Sequence, residues 1–199
     1  MCNLKEVYLV TGSKKKAEEI INILKGKINV KVEDIDLPEY QGTPEEITIN
    51  KCKLAYKYIN KPVFVEDTSL CFNAYNGLPG PYVKWFIKSV GAEGLFNMLM
   101  AYNDKTAYAT TIIGYYDGAT MSEPILFRGQ VDGVIVEPRG SKEFGWDCVF
   151  QPNGHSKTFA EMDQEYKNTI SHRYLSLKNL CVTVCKKSST FLVKMTLFK

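Results

Sequence analysis

With 199 residues, 45% hydrophobic and 24% charged, the chain can bury one substantial core and is expected to form a single globular domain over residues 1–199. A formal net charge of +3, dispersed along the sequence, is too small to require a nucleic-acid surface, and no apolar run approaches the ~18 residues of a membrane span. Six cysteines are scattered without a CxxC pair, with only His155 and His172 to join them around a metal, which argues against structural zinc and for reduced thiols in the cytoplasm.

Apolar periodicities alternate between strand-like and helix-like from the first residues, the pattern of an α/β fold. Val7–Val10 reads as a strand, Ser13 as an N-cap, and Lys15–Leu24 as a helix with Ala17, Ile20, Ile21 and Leu24 in one stripe. A second extended piece, Val30–Ile35, leads into the loop Leu37-Pro38-Glu39-Tyr40-Gln41-Gly42. Thr43-Pro44-Glu45-Glu46 combines a capping box with proline at the first helical position and opens a helix reaching Tyr58. Val63-Phe64-Val65 reads as a buried third strand that stops at Glu66-Asp67-Thr68-Ser69, ahead of Gly77-Leu78-Pro79-Gly80-Pro81. Paired carboxylates at such a strand end suit a metal or a general base; the alternative is a strand-ending acid turn. Tyr82–Val90 and Ala92–Tyr102 read as helices, and Ala107–Tyr116 and Ile125–Val136 as long antiparallel strands joined through Asp117-Gly118, so mixed strand directions are expected. Cys181–Val184 and Phe191–Phe198 alternate as strands do, with helix the alternative for part of that stretch.

Four places carry residues fit for chemistry. On the helix after Thr43, Lys51 falls among Ile47, Leu54, Ala55 and Tyr58 while Lys53 and Lys57 lie opposite, so its ammonium points inward and requires an anion: Glu66, Glu39 or a phosphate ligand. Thr11-Gly12-Ser13-Lys14-Lys15-Lys16 enters a helix as a phosphate-binding turn does, without the spacing of a P-loop; at least two of its lysines are expected to be solvated surface. Phe144-Gly145-Trp146-Asp147 could stack a base and hydrogen-bond its edge, core packing being the alternative. Ser171-His172-Arg173, with Ser171 able to cap a helix, supplies donors for a carbonyl oxygen, and no Ser/His/Asp triad is supported.

Taken together, in this order and spacing, Thr11–Lys16, Leu37–Gly42, Val65–Thr68, Gly77–Pro81, Phe144–Asp147 and Ser171–Arg173 closely resemble the inosine triphosphate pyrophosphatase family, most nearly its eukaryotic members. The resemblance runs from Tyr8 to Leu180. It implies an elongated mixed β-sheet flanked by helices, in two lobes with a nucleotide cleft between them. It further implies hydrolysis of non-standard purine nucleoside triphosphates to monophosphate and pyrophosphate, with Mg²⁺ or Mn²⁺, by a cytoplasmic homodimer that needs neither nucleic acid nor membrane. Residue by residue, Lys16, Lys51 and Lys84 would hold the substrate's phosphates, Thr11, Gly12, Ser13 and Thr68 would also bind the substrate, and Glu39 and Asp67 would hold the metal, with Asp67 as general base or water orienter and Glu39 and Lys51 completing the catalytic set. Phe144 would stack on the base, and Trp146, Asp147, Lys167, Ser171, His172 and Arg173 would form its pocket. Ser13 stands where the family usually has asparagine, a hydroxyl replacing an amide. The rival readings are a nucleic-acid-binding module built on Lys14–Lys16, Lys186 and Lys187, a catalytically silent nucleotide-binding protein, and a pyrophosphatase of ordinary triphosphates.

Overall fold

The computed structural model describes residues 6–182. Its strands are β1 (Val7–Val10), β2 (Val30–Glu33), β3 (Val63–Phe72), β4 (Pro79–Gly80), β5 (Thr106–Tyr116), β6 (Ile125–Ile135) and β7 (Phe150–Pro152). Its helices are α1 (Lys14–Leu24), α2 (Pro44–Ile59), α3 (Val83–Met98), α4 (Gln164–Ile170) and α5 (residues 172–182). The strands make one seven-stranded sheet in the order β2-β1-β3-β5-β6-β7, with β4 paired to β3. The expected mixture of directions is present: β1 runs parallel to β2 and β3, while β4 is antiparallel to β3 and β7 to β6.

The chain packs as two compact units, with crossings inside strands β3, β5 and β6 and at residue 173; the first holds residues up to 66, 112–128 and from 174, the second 67–111 and 129–173. In the first unit all four residues of β1 are buried because both faces are covered. Val7 and Leu9 pack with Ala17, Ile20 and Leu24 of α1 and with Leu177 and Leu180 of α5, whereas Tyr8 and Val10 pack with Leu37 and with Cys52 and Ala55 of α2. Helix α2 starts where the capping box places it: the Thr43 hydroxyl accepts from the Glu46 N–H at 3.2 Å, and the Glu46 carboxylate accepts from the Thr43 N–H at 2.9 Å. It lies close on β5, where a Cβ at Gly114 would stand 2.8 Å from Cγ2 of Thr48. The Cys52 thiol donates to the Gly114 carbonyl at 3.2 Å, and burial pushes its pKa up to about 12. The core of the second unit joins Leu70 and Phe72 of β3, Leu95 of α3, Ala107 and Ala109 of β5, and Trp146, Phe150 and Phe159.

Several expectations are corrected. Strand β3 does not stop at the acids: it runs through Glu66 and Asp67 to Phe72, because β4 extends its pairing through Leu70 and Cys71. The two expected helices after Pro81 are present, α3 breaking between them at Gly91 (φ 68°, ψ −175°), a conformation suited to glycine, but the second stops at Met98 rather than Tyr102. β2 ends at Glu33, two residues before Ile35. Cys181 and Val182 are helical, the alternative kept for part of that stretch, rather than strand. Residues 183–184 and Phe191–Phe198 lie outside the described residues.

Candidate active site

Residues from the first unit present cations from two helices. Ser13 caps α1, its hydroxyl accepting from the Lys16 N–H at 3.4 Å, and the Thr11 hydroxyl accepts from the Ser13 N–H at 3.2 Å; serine thus serves in the turn that Gly12 opens. Lys14 and Lys15 are exposed, as expected of two of the three lysines, whereas the Lys16 ammonium lies 3.1 Å from Glu66. Period two explains this pairing. Glu66 shares a face of β3 with Phe64, which packs against α1, so its carboxylate meets a side chain of that helix. Asp67 follows it in the strand, so the alternation of β3 sends the two acids to opposite faces. Lys51 points inward as helix geometry predicts, is 8% exposed, and meets Glu39 at 2.7 Å. Of the two structural partners weighed for it, Glu39 is in contact, while Glu66 meets Lys16.

The second unit contains Asp67, Thr68, Lys84 and all the residues expected around a base. Asp67 is buried in β3, and Lys84 is exposed on the first turn of α3. Arg173, at 1% exposure, is the largest fully buried side chain among the described residues; its guanidinium reaches the Thr68 hydroxyl at 3.5 Å and lies 5.9 Å from the centre of the Phe144 ring. The Thr68 and Thr111 hydroxyls are 3.4 Å apart. Lys167, 2% exposed, forms a buried ion pair with Asp147 and sets its ammonium 4.2 Å above the Phe144 ring. The His172 ring lies between two aromatic rings, 5.4 Å from Trp146 and 5.8 Å from Phe159. Ser171, fully buried, is the extended residue between α4 and α5, the place of the expected cap. Phe144, Asp147, Lys167 and Arg173 are thus brought together, and the Trp146 and His172 rings pack against each other at a tilt of 34°.

Sequence reading missed Phe159, which closes the other side of His172, and Thr111 beside Thr68. The signal for the first was the Thr158-Phe159-Ala160-Glu161 capping box, which places Phe159 at the start of a helical turn. No signal marked Thr111.

Among the described residues no group of three or more His, Cys, Asp or Glu side chains is gathered for a metal. A magnesium ion does not need one: it prefers hard oxygen donors and is held by one or two carboxylates together with substrate phosphates. Carboxylates such as Glu39 and Asp67 fit that donor chemistry, whereas zinc or copper would call for histidine or thiolate.

A family model described as the Ham1 family matches residues 7–183. The fold is similar to that of a HAM1 protein from Coxiella burnetii, 26% identical with a TM-score of 0.80 over 92% of this chain and 100% of that one. The Ham1 protein of Staphylococcus aureus is 28% identical with a TM-score of 0.77, again over 92% of this chain and 100% of the other. A Mycobacterium abscessus protein described as a nucleoside-triphosphatase and dITP/XTP pyrophosphatase shares the fold at 22% identity, with a TM-score of 0.69 over 88% of this chain and 98% of its own. The match of sequence motifs, mixed sheet and family model over nearly the whole length leads to one conclusion: this chain belongs to the Ham1 family.

Proposed function

We propose that this protein hydrolyses non-standard purine nucleoside triphosphates, those of inosine, deoxyinosine and xanthosine, to the monophosphate and pyrophosphate, and so clears them from the cytoplasmic nucleotide pool as a homodimer. Membership of the Ham1 family supports a nucleotide substrate, and the dITP/XTP pyrophosphatase that shares the fold points the same way. The observation that carries the reading is the burial of Lys167 and Arg173 against one aromatic ring, Phe144. Two buried cations beside a ring provide a stacking surface for a planar base and fixed N–H donors for its edge. Hypoxanthine and xanthine present a 6-oxo acceptor where adenine presents an amino donor, so donors at this place favour the former and leave adenine unpaired.

In this reading Lys16 and Lys51 bind phosphate oxygens, exchanging Glu66 and Glu39 for the substrate's charge. Asp67 accepts a proton from the water that attacks the α-phosphorus, and the lysines stabilise charge on the departing pyrophosphate. Glu39 and Asp67 would hold Mg²⁺, which when bound offsets phosphate charge.

A coupled assay that separates pyrophosphate from orthophosphate tests this, using inosine, xanthosine, guanosine and adenosine triphosphates with and without Mg²⁺. Mg²⁺-dependent pyrophosphate release from the first two is expected. Equal turnover of all four would replace the reading with a pyrophosphatase of ordinary triphosphates, and binding without turnover would leave a silent nucleotide-binding protein.

A further inference from the structure

We propose that His155 and Tyr166 form a brace that positions Lys167 and thereby helps set base selectivity; the proposal rests on the reading of Lys167 as part of a base pocket. Helix α4 has only seven residues. An isolated helix of that length is not stable in water, so its position depends on what anchors it. Asp163 caps its start, accepting from the Glu165 and Tyr166 N–H groups at 2.8 and 3.3 Å. The Lys167 ammonium is held by Asp147. Ile170 packs against the core of the second unit, and a further anchor is an exposed side-chain contact that the proposed chemistry does not use.

This contact is built from the turn after β7. The Asn153 N–H donates to the Asp132 carbonyl at 2.9 Å, Gly154 turns the chain at φ +79°, and the His155 N–H donates to the Pro152 carbonyl at 3.2 Å. The turn is thereby tied to the sheet. His155 Nδ1 lies 3.1 Å from the Asn153 carbonyl, which can only accept, so Nδ1 carries a proton. In the neutral ring Nε2 then accepts from the Tyr166 hydroxyl, 3.0 Å away. Tyr166 immediately precedes Lys167, so the hydroxyl fixes the turn of α4 from which the lysine projects over Phe144. Tyr166 is 49% exposed, and a single exposed hydrogen bond adds little to global stability. Its consequence is therefore geometric, placing an ammonium rather than holding the fold.

The test is Tyr166→Phe, which keeps the ring and removes the hydroxyl, with His155→Gln as the conservative replacement at the other end. Tyr166→Phe is expected to raise KM for inosine triphosphate about three- to tenfold, the range of one lost hydrogen bond, with kcat within about twofold and the thermal midpoint unchanged. His155→Gln, still able to accept, should show a smaller rise. In a Lys167→Met background the hydroxyl should no longer matter to KM. An unchanged KM in Tyr166→Phe, or the same rise with Lys167 absent, would overturn the brace. Amide hydrogen exchange at Lys167 and Ser171 reads the same tether without turnover: acceleration in Tyr166→Phe is expected, and unchanged exchange would overturn it. A wild-type protein that hydrolyses no triphosphate would defeat the proposed function, while the exchange result would still decide whether the brace holds α4.

Discussion

In the first unit each site ion pair keeps one partner within reach of water, Lys16 at 30% over a buried Glu66 and Glu39 at 30% over a buried Lys51, whereas in the second Lys167 and Arg173 are buried beside Phe144 at 2% and 1%. The difference has a physical consequence. A partly solvated ion pair gains little net energy and can trade its carboxylate for another anion at small cost, whereas a buried cation that loses its partner cannot be rescued by solvent. Lys16 and Lys51 are therefore suited to a ligand that comes and goes with its own charge, and Lys167 and Arg173 to a rigid edge that recognises shape and hydrogen-bond polarity.

The contrast is sharpened most at the two acids of β3. As the proton acceptor, Asp67 should be indispensable: Asp67→Asn is expected to lower kcat by roughly 10²- to 10⁴-fold with the urea midpoint kept. Glu66→Gln removes only a counter-charge and should cost less than about tenfold; equal losses in the two would erase the distinction between facing acids and exchangeable ones.

Removing a partner separates the units by stability. Asp147→Ala leaves Lys167 buried without its carboxylate and should cost about 3–5 kcal/mol in urea unfolding, whereas Glu39→Ala should cost less, because the Lys51–Glu39 pair is partly solvated on its carboxylate side. Similar costs would show that the buried pair is not special. The smallest effect lies far from either set of cations. Thr43→Ala should destabilise α2 by about 1 kcal/mol through loss of its cap. The Thr43 N–H, then its hydroxyl, hold the Glu46 carboxyl below its ordinary value of 4.5. The part of the stabilisation that depends on the Glu46 charge is therefore present above that value and lost as pH falls through the lower folded one, so the gap between wild type and Thr43→Ala should narrow at low pH without closing, the hydroxyl still accepting from the Glu46 N–H.

Local signals were the legible ones. The capping box at Thr43 fixed the start of α2, and the angular position of Lys51 foretold its inward direction, because both depend on residues within one or two turns of helix. The continuation of β3 beyond Asp67 was not legible: two acids look like the end of a strand unless Lys16 is known to face one of them, and the partner β4 is two residues long. Contacts distant in sequence, such as Lys167 with Asp147 or Arg173 with Thr68, left no periodic trace, and only the resemblance to a family grouped those residues. The pairing of Glu66 was recoverable in principle, since it shares parity with Phe64.

Gly114 also carries a historical constraint. Because Thr48 occupies the space a side chain there would fill, and Cys52 spends its thiol proton on the Gly114 carbonyl, position 114 cannot enlarge by itself during divergence. A larger residue there would require Thr48 to be shortened or displaced and Cys52 to give way, so helix and strand are coupled at this position by van der Waals radii.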